Sequence, residues 1–249
     1  MSDFNRGYPP AATAPVADMS VDAGLRAFML GVYNKVALGL VISAAMAYLT
    51  SSYPPVRDLM FQVRGNRIGL TGIGMIVAFA PLAILLFTGF VMKTVTARSS
   101  GVVYWAIVAL IGASMGTLVM AYTLTSISTT FLVTAADFGS LSLVGYTTKR
   151  DLTAMGSFLI VGLVGLIVAM LVNMFLHSTM MAFIINAIGV LIFAGLIAWD
   201  TQRLKMTYYQ LGGDTEALGV ATNYGALNLY LDFINLFRFL LYFMGGARR

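Results

Sequence analysis

The chain has 249 residues, of which 59% are hydrophobic and only 10% charged, against roughly 25% charged residues in a soluble domain. Its apolar runs each approach the ~20 residues needed to cross a hydrocarbon core, which excludes a soluble globular protein and specifies an all-α, multi-pass membrane protein. One histidine and no cysteine exclude disulfides, thiolate metal sites and multi-histidine centres; the net charge of +5 fits basic residues flanking membrane spans better than a nucleic-acid surface.

Residues 1–24, with Pro9, Pro10 and Pro15 and no apolar run, read as a short disordered cytoplasmic tail, with no signal-peptide core. Residues 25–249 read as one transmembrane domain. Seven spans are expected at about 36–53, 69–92, 101–124, 127–146, 156–175, 179–200 and 225–244. Gly112 and Gly116 form a small-xxx-small pair on the third span, and Gly162 and Gly165 place small residues on the fifth.

Basic residues orient the bundle. With the amino terminus inside, the cytoplasmic side collects Arg26, Lys35, Lys93, Arg98, Lys149, Arg150, Arg203 and Lys205, and the far side Arg57, Arg64, Arg67, Arg248 and Arg249. Eight against five favours amino terminus in and carboxyl terminus out of a cell inner (plasma) membrane. A six-span chain, with the last stretch not crossing, is the rival topology.

Most acids fall in the tail, at span ends or in loops, where solvation explains them. Asp137, Asp200 and Asp232 do not. A charge at mid-bilayer costs at least ~3 kcal/mol, so such residues usually face a protein interior or a wet cavity. Asn228, Asp232 and Asn235 recur at i, i+4 and i+7 and line one stripe of the last helix. Asp200, Thr201 and Gln202 form a polar cluster closing the sixth span, and residues 201–224 connect it to the seventh. Asp232 then lies about eight residues into its helix, ~12 Å along it, so Asp200 and Asp232 can meet in the cytoplasmic half of the membrane.

The segments AWDTQRLK at 198–205, GALNLYLDFINLFRFLL at 225–241 and FLVTAADFGSLSLVGYTTKRDL at 131–152 together resemble the Bax inhibitor family, the transmembrane Bax-inhibitor-motif proteins, in its bacterial branch. The resemblance runs from about residue 25 to the end. It implies seven helices with the last one central and wrapped by the other six. It also implies a pH-sensitive calcium leak with a hydrogen-bonded aspartate pair, one from each of the last two helices; Asp200 and Asp232 match those positions. No arginine lies inside the second span to act as a basic latch, and Arg238, six residues from Asp232, falls on another side of its helix. Asp137 has no counterpart in the family pattern and would add a third carboxylate if it lined the same path.

Carboxylate chemistry supplies a mechanism. Two carboxyl groups in contact at a poorly solvated site share a proton, and losing it leaves two like charges that push the helices apart. Asp200, Asp232, Asn228 and Asn235 offer oxygen ligands that hold calcium only in transit, with no stable metal site and no cofactor. The partners expected are calcium ions, protons and the bilayer, with no nucleic acid. A regulatory protein that binds a membrane protease or another membrane protein is the alternative.

An enzyme fits less well. Intramembrane aspartyl proteases also pair two aspartates, but Leu-Tyr-Leu precedes Asp232 where they carry Gly-x-Gly, and Ala80-Pro81-Leu82 lies in the second span. The string Gly112-Ala113-Ser114-Met115-Gly116 has the form of a nucleophile elbow but lies mid-helix, and His177 falls in an outer loop. The last span holds no lysine for a retinal.

The chain's lack of cysteine makes its orientation easy to test. A cysteine added after Arg249 should react with an impermeant thiol reagent in intact cells, and one placed near Ser2 should not. Protection of both sites would support the six-span rival.

Overall fold

The structure is a computed structural model, and it describes residues 23–64, 67–91 and 95–246. The expectations for residues 1–22, Lys93, Arg248 and Arg249 fall outside these. Helices dominate in the order α1 (Ala23–Ser52), α2 (Pro54–Met60), α3 (Gly72–Val91), α4 (Ala97–Ser114), α5 (Gly116–Ala121), α6 (Leu124–Thr147), α7 (Thr153–Leu176), α8 (Thr179–Gln210) and α9 (Thr215–Met244), with strands β1 (Phe61–Arg64) and β2 (Arg67–Leu70) between α2 and α3. The protein is an all-α membrane protein. Among the described residues six helices are long and apolar enough to cross a bilayer, counting α4 and α5 as one, and the apolar stretch Gly72–Thr88 of α3 is shorter.

Every apolar run read from the sequence is helical, but the ends differ. The first helix begins at Ala23, so Ala23 and Gly24 belong to it rather than to the tail. The third expected span is interrupted at Met115, where α4 ends and α5 begins. The stretch 54–70 holds α2 and an antiparallel pair of strands, Phe61 facing Leu70 and Arg64 facing Arg67. Residues 201–224 are not a connecting loop. The sixth span continues ten residues past Asp200 to Gln210, and α9 begins at Thr215.

The tight turn between α8 and α9 has a local cause. Gly212 and Gly213 take the left-handed backbone region, φ 57° and 88°, which costs a glycine little. Asp214 then caps α9 by accepting from the N–H groups of Glu216 and Ala217. The two helices therefore run antiparallel and stay in contact along their length.

The last helix is the most enclosed. Of its membrane-length stretch 56% is buried, against 11 to 33% for the other five. It packs directly against α1, α4, α6 and α8, whereas α3 docks on α4 and α7 on α8. Its inward side chains include Tyr230, Phe233 and Phe237. Phe233 stacks against Phe131 and Phe138 of α6 at 5.4 and 5.5 Å between ring centres. Tyr230 Oη shares a 2.6 Å hydrogen bond with Ser43 Oγ of α1, which also donates to the Val108 carbonyl of α4. Beyond α9, Gly246 ties the chain to the start of α6: its N–H donates to Ser126 Oγ, and its carbonyl accepts from the Thr123 N–H.

Small residues set the close approaches, as in membrane bundles generally. Gly112 lies against the Ser43 backbone, and Gly116 against Thr50 and Phe61. Gly162 faces Ile192, but Gly165 has no atom within 4 Å of where its Cβ would be. The tightest approach between two membrane-length helices is Gly145 of α6, where a methyl group would overlap the Ala198 carbonyl of α8.

Gly145→Ala should therefore force α6 and α8 apart and destabilise the purified protein by about 1–3 kcal/mol, read as a lowered thermal midpoint. Gly139→Ala is the control on the same helix, with nothing within 4 Å of the added methyl; it should be neutral or slightly stabilising, by about 0.5–1 kcal/mol. Equal behaviour of the two variants would show that the α6–α8 contact is not set by Gly145.

Candidate functional site

Asp200 and Asp232 come together. Asp200 is on α8, ten residues before its end, and Asp232 is the eighteenth residue of α9. Both are buried, at 8% and 5% exposure, and their carboxyl groups are within hydrogen-bonding reach of one another. Oδ2 of Asp232 is buried and receives no hydrogen bond from an N–H or hydroxyl donor among the described residues. Two ionised carboxylates have no donor between them, so a hydrogen bond here needs one proton held in common.

Neighbouring helices enclose the pair. The helix α6 approaches at Gly145 beside Ala198, and α9 itself closes on α8 at Gly225, which lies against Leu204, where a methyl group would overlap the leucine. The other two residues of the polar cluster read at the end of the sixth span differ in their surroundings. Thr201 is fully buried beside Asp200 with its Oγ1 unpartnered. Gln202 clamps the α6–α7 connection, its Oε1 accepting from the Leu152 N–H and its Nε2 donating to the Arg150 carbonyl, both at 2.8 Å.

Two cations of α8, read from the sequence only as boundary charges, make specific contacts. Arg203 lies one turn along α8, with Nη1 3.8 Å from Asp200 Oδ1 and its guanidinium over the Trp199 ring at 5.4 Å. Lys205 is buried and donates to the Tyr146 carbonyl at 2.7 Å. That carbonyl is in the last turn of α6, where a cation meets the negative end of the helix dipole. The i+3 spacing of Asp200 and Arg203 was the signal for the first contact; ending the helix at residue 200 hid it.

The other expected site residues are placed differently. Asn235 is half-buried and spends its Nδ2 on its own helix, donating to the Leu231 carbonyl. Asn228 is half-buried and makes no hydrogen bond among the described residues. Asp137 is not brought to the pair: it is exposed on the outer side of α6, while Thr130, Thr134, Ser142 and Gly145 form that helix's buried side. Arg238 is exposed as well. Among the described residues no three acidic or imidazole side chains converge, so the site offers two carboxylates to a cation that favours six to eight oxygens.

Acids assigned to solvation have structural work. Asp151, in the α6–α7 connection, accepts from Thr153; the side-chain and then the backbone hydrogen bond hold its carboxyl below the usual range. Asp214 caps α9, and Glu216 accepts from the Ala97 N–H at the start of α4 at 2.7 Å. His177 terminates α7 in the left-handed region at φ 52° and contacts the Phe175 carbonyl through Nδ1.

Comparison with known proteins gives one consistent result. The family described as inhibitor of apoptosis-promoting Bax1 matches residues 25–249. The chain is 61% identical to a Caulobacter vibrioides protein over the full length of both. It is 39% identical to the inner membrane protein YbhL of Escherichia coli, covering 91% of this chain and 94% of that one. A membrane protein of Streptococcus pyogenes is 33% identical, over 90% and 94% of the two chains.

The Gln202 clamp makes a prediction about the site's rim. Gln202→Ala removes two hydrogen bonds and should cost about 1–3 kcal/mol at 0.5–1.5 kcal/mol each. It should also speed tryptic cleavage after Lys149 and Arg150 in the folded protein. Unchanged cleavage would show that the connection is held by something other than Gln202.

Proposed function

The chain belongs to the Bax inhibitor family, and on that premise we propose that it is a pH-sensitive calcium leak channel of the inner membrane, gated by a proton shared between Asp200 and Asp232. The observation that carries this reading is the contact of two buried carboxyl groups on α8 and α9. The proposed topology has seven crossings, α3 included, with the amino terminus cytoplasmic, the carboxyl terminus outside and α9 at the centre. The burial of α9 and its packing on α1, α4, α6 and α8 support that centre.

In the closed state the shared proton ties α8 to α9 and leaves the pair one net negative charge. Loss of that proton leaves two carboxylates in contact within a poorly solvated seam, and their repulsion biases the helices apart. Falling pH therefore closes this gate and rising pH opens it. Arg203, 3.8 Å from Asp200, faces the pair from α8. Lys205, on the same helix, is engaged with α6. Asn228 and Asn235 line the path in the half-buried positions of α9. The site passes an ion and catalyses no reaction, and it requires no cofactor.

A second reading has its own observation. Asp137 stands near the middle of α6, exposed, with no hydrogen bond or ion pair among the described residues. A carboxylate facing lipid at that depth costs at least ~3 kcal/mol, which a partner membrane protein offering a donor would offset. On this reading the protein regulates a membrane partner through the outer side of α6.

Purified protein in liposomes tests both. Wild-type vesicles loaded with a calcium dye should pass calcium down its gradient without nucleotide, more at high than at low pH. Asp200→Asn and Asp232→Asn should each blunt the pH response, and the double variant should be little worse than either single one. Spin labels on α8 and α9 read the gate directly. A full pH-dependent separation in the double variant, or no flux at any pH in wild type, would overturn the proposal. Asp137→Asn lowers flux if that carboxylate lines the path and leaves it unchanged on the partner reading.

A further inference from the structure

A second built feature lies well away from the aspartate pair. Between α1, α4 and α9 there is an open cavity of about 400 Å³, lined among others by Lys35, Arg98, Gly101, Trp105, Thr222 and Asn223. Lys35 holds its Nζ 5.7 Å from the centre of the Trp105 ring. Neither Lys35 nor Arg98 forms an ion pair with an acid among the described residues. Two cations thus line one cleft with no ion pair among the described residues, and the Glu216 carboxylate beside it is engaged with the Ala97 N–H.

Asn223 supplies the independent observation. It is 4% exposed, and its Nδ2 is spent on the Ala97 carbonyl at 2.8 Å and Ser100 Oγ at 2.9 Å. Its Oδ1 is buried with no hydrogen-bond partner among the described residues. A buried amide oxygen without a donor costs about 1–3 kcal/mol, so the site is incomplete without a donor. An inorganic anion without a hydrogen, such as sulfate, would answer the cations but has nothing to donate to Oδ1. A headgroup that joins an anion to a donor answers both.

The surroundings identify the carrier as a lipid. Arg98 is in the first turn of a membrane-length helix pair, and Trp105 lies two turns deeper on the same side. Val102, between them, is 64% exposed on the face that runs on toward the hydrocarbon. Basic pockets between spans at this level take lipid headgroups, and tryptophan favours the same depth. The start of α4 is already satisfied by the Glu216 carboxylate on the Ala97 N–H, so an anion here is held by side chains. We propose that the α1–α4–α9 cleft binds a phospholipid through Lys35, Arg98 and Asn223, the phosphate between the two cations and a terminal ammonium or hydroxyl donating to Asn223. Phosphatidylethanolamine and phosphatidylglycerol have that form. Phosphatidylcholine has the phosphate but no donor.

Thermal unfolding of the full chain in detergent, with each lipid added in turn, tests this, because a ligand that binds only the folded state raises its midpoint. Phosphatidylethanolamine and phosphatidylglycerol should each raise the midpoint by a few degrees more than phosphatidylcholine of the same acyl chains. The Lys35→Gln/Arg98→Gln variant should lose that increment. Equal effects of all three lipids, or an increment that survives in the variant, would overturn the proposal. So would the same rise with sodium phosphate alone, which would mean that the cleft takes a phosphate as such. If the double variant does not fold, Gly101→Leu replaces it. Its Cβ has room, the nearest atom being Asn223 Nδ2 at 3.6 Å, and the side chain occupies the cleft. Retention of the lipid increment in Gly101→Leu would be equally fatal.

Discussion

Two carboxyl groups share one apolar seam, and the last two helices are arranged around that fact. An ionised group in such a place is costly by several kcal/mol, and two in contact are worse, which is the physical ground for the proposal that the pair holds one proton in common. The contact in turn demands that α8 and α9 meet at one level. A four-residue turn with two glycines in the left-handed region, an aspartate cap on α9 and the close approach of Gly225 to Leu204 meet that demand. From the other side α6 closes the seam at Gly145. Enlarging any of these small residues would move the carboxyls apart before it touched them.

Elsewhere the bundle handles its polar groups by pairing them across helices. Ser43 joins α1 to both α4 and α9, Asn223 joins α9 to α4, and Gln202 joins α8 to the α6–α7 connection. In a membrane interior such bonds replace the water that would otherwise serve these groups. Among the described residues the buried oxygens of Asp232, Thr201, Asn223, Thr130 and Ser142 have no hydrogen-bond partner and stand out against this background. Asp232 belongs to the acidic pair, Asn223 lines the α1–α4–α9 cleft, and Thr130 and Ser142 lie on the buried side of α6.

The centres of the spans were legible in the sequence because hydropathy alone decides them. Their ends were not, because α1 and α9 are already helical before the apolar run begins and α8 stays helical after it stops. The stretch 201–224 looked like a connection for its polarity, yet Gly212-Gly213-Asp214 carried the turn-and-cap signal that would have shortened it. The strand pair at 61–70 was likewise signalled by Gly65-Asn66 between Val63 and Ile68, and was overlooked because the surrounding pattern was read for membrane spans only. Asp200 and Asp232 were legible as acids with no solvated explanation. Asp137 looked the same, since neither depth nor polarity reveals which side of a helix faces outward. The contacts of Arg203 with Asp200 and of Lys205 with the Tyr146 carbonyl were not anticipated because the helix was taken to end before them.

The sixth helix has an unusual set of fastenings. Near its end it is held to α8, through Lys205 on the Tyr146 carbonyl, and at its start it is held to the end of α9, through Gly246. A rod pinned at opposite ends to two bodies cannot stay parallel to both once they part. It must swing, or one pin must break. Any separation of α8 from α9 is thereby converted into a rotation of α6, and with it of the outward side that carries Asp137. The bundle would thus carry a pointer on its flank whose angle reports, to whatever lies beside it in the membrane, how far apart the two acidic helices stand.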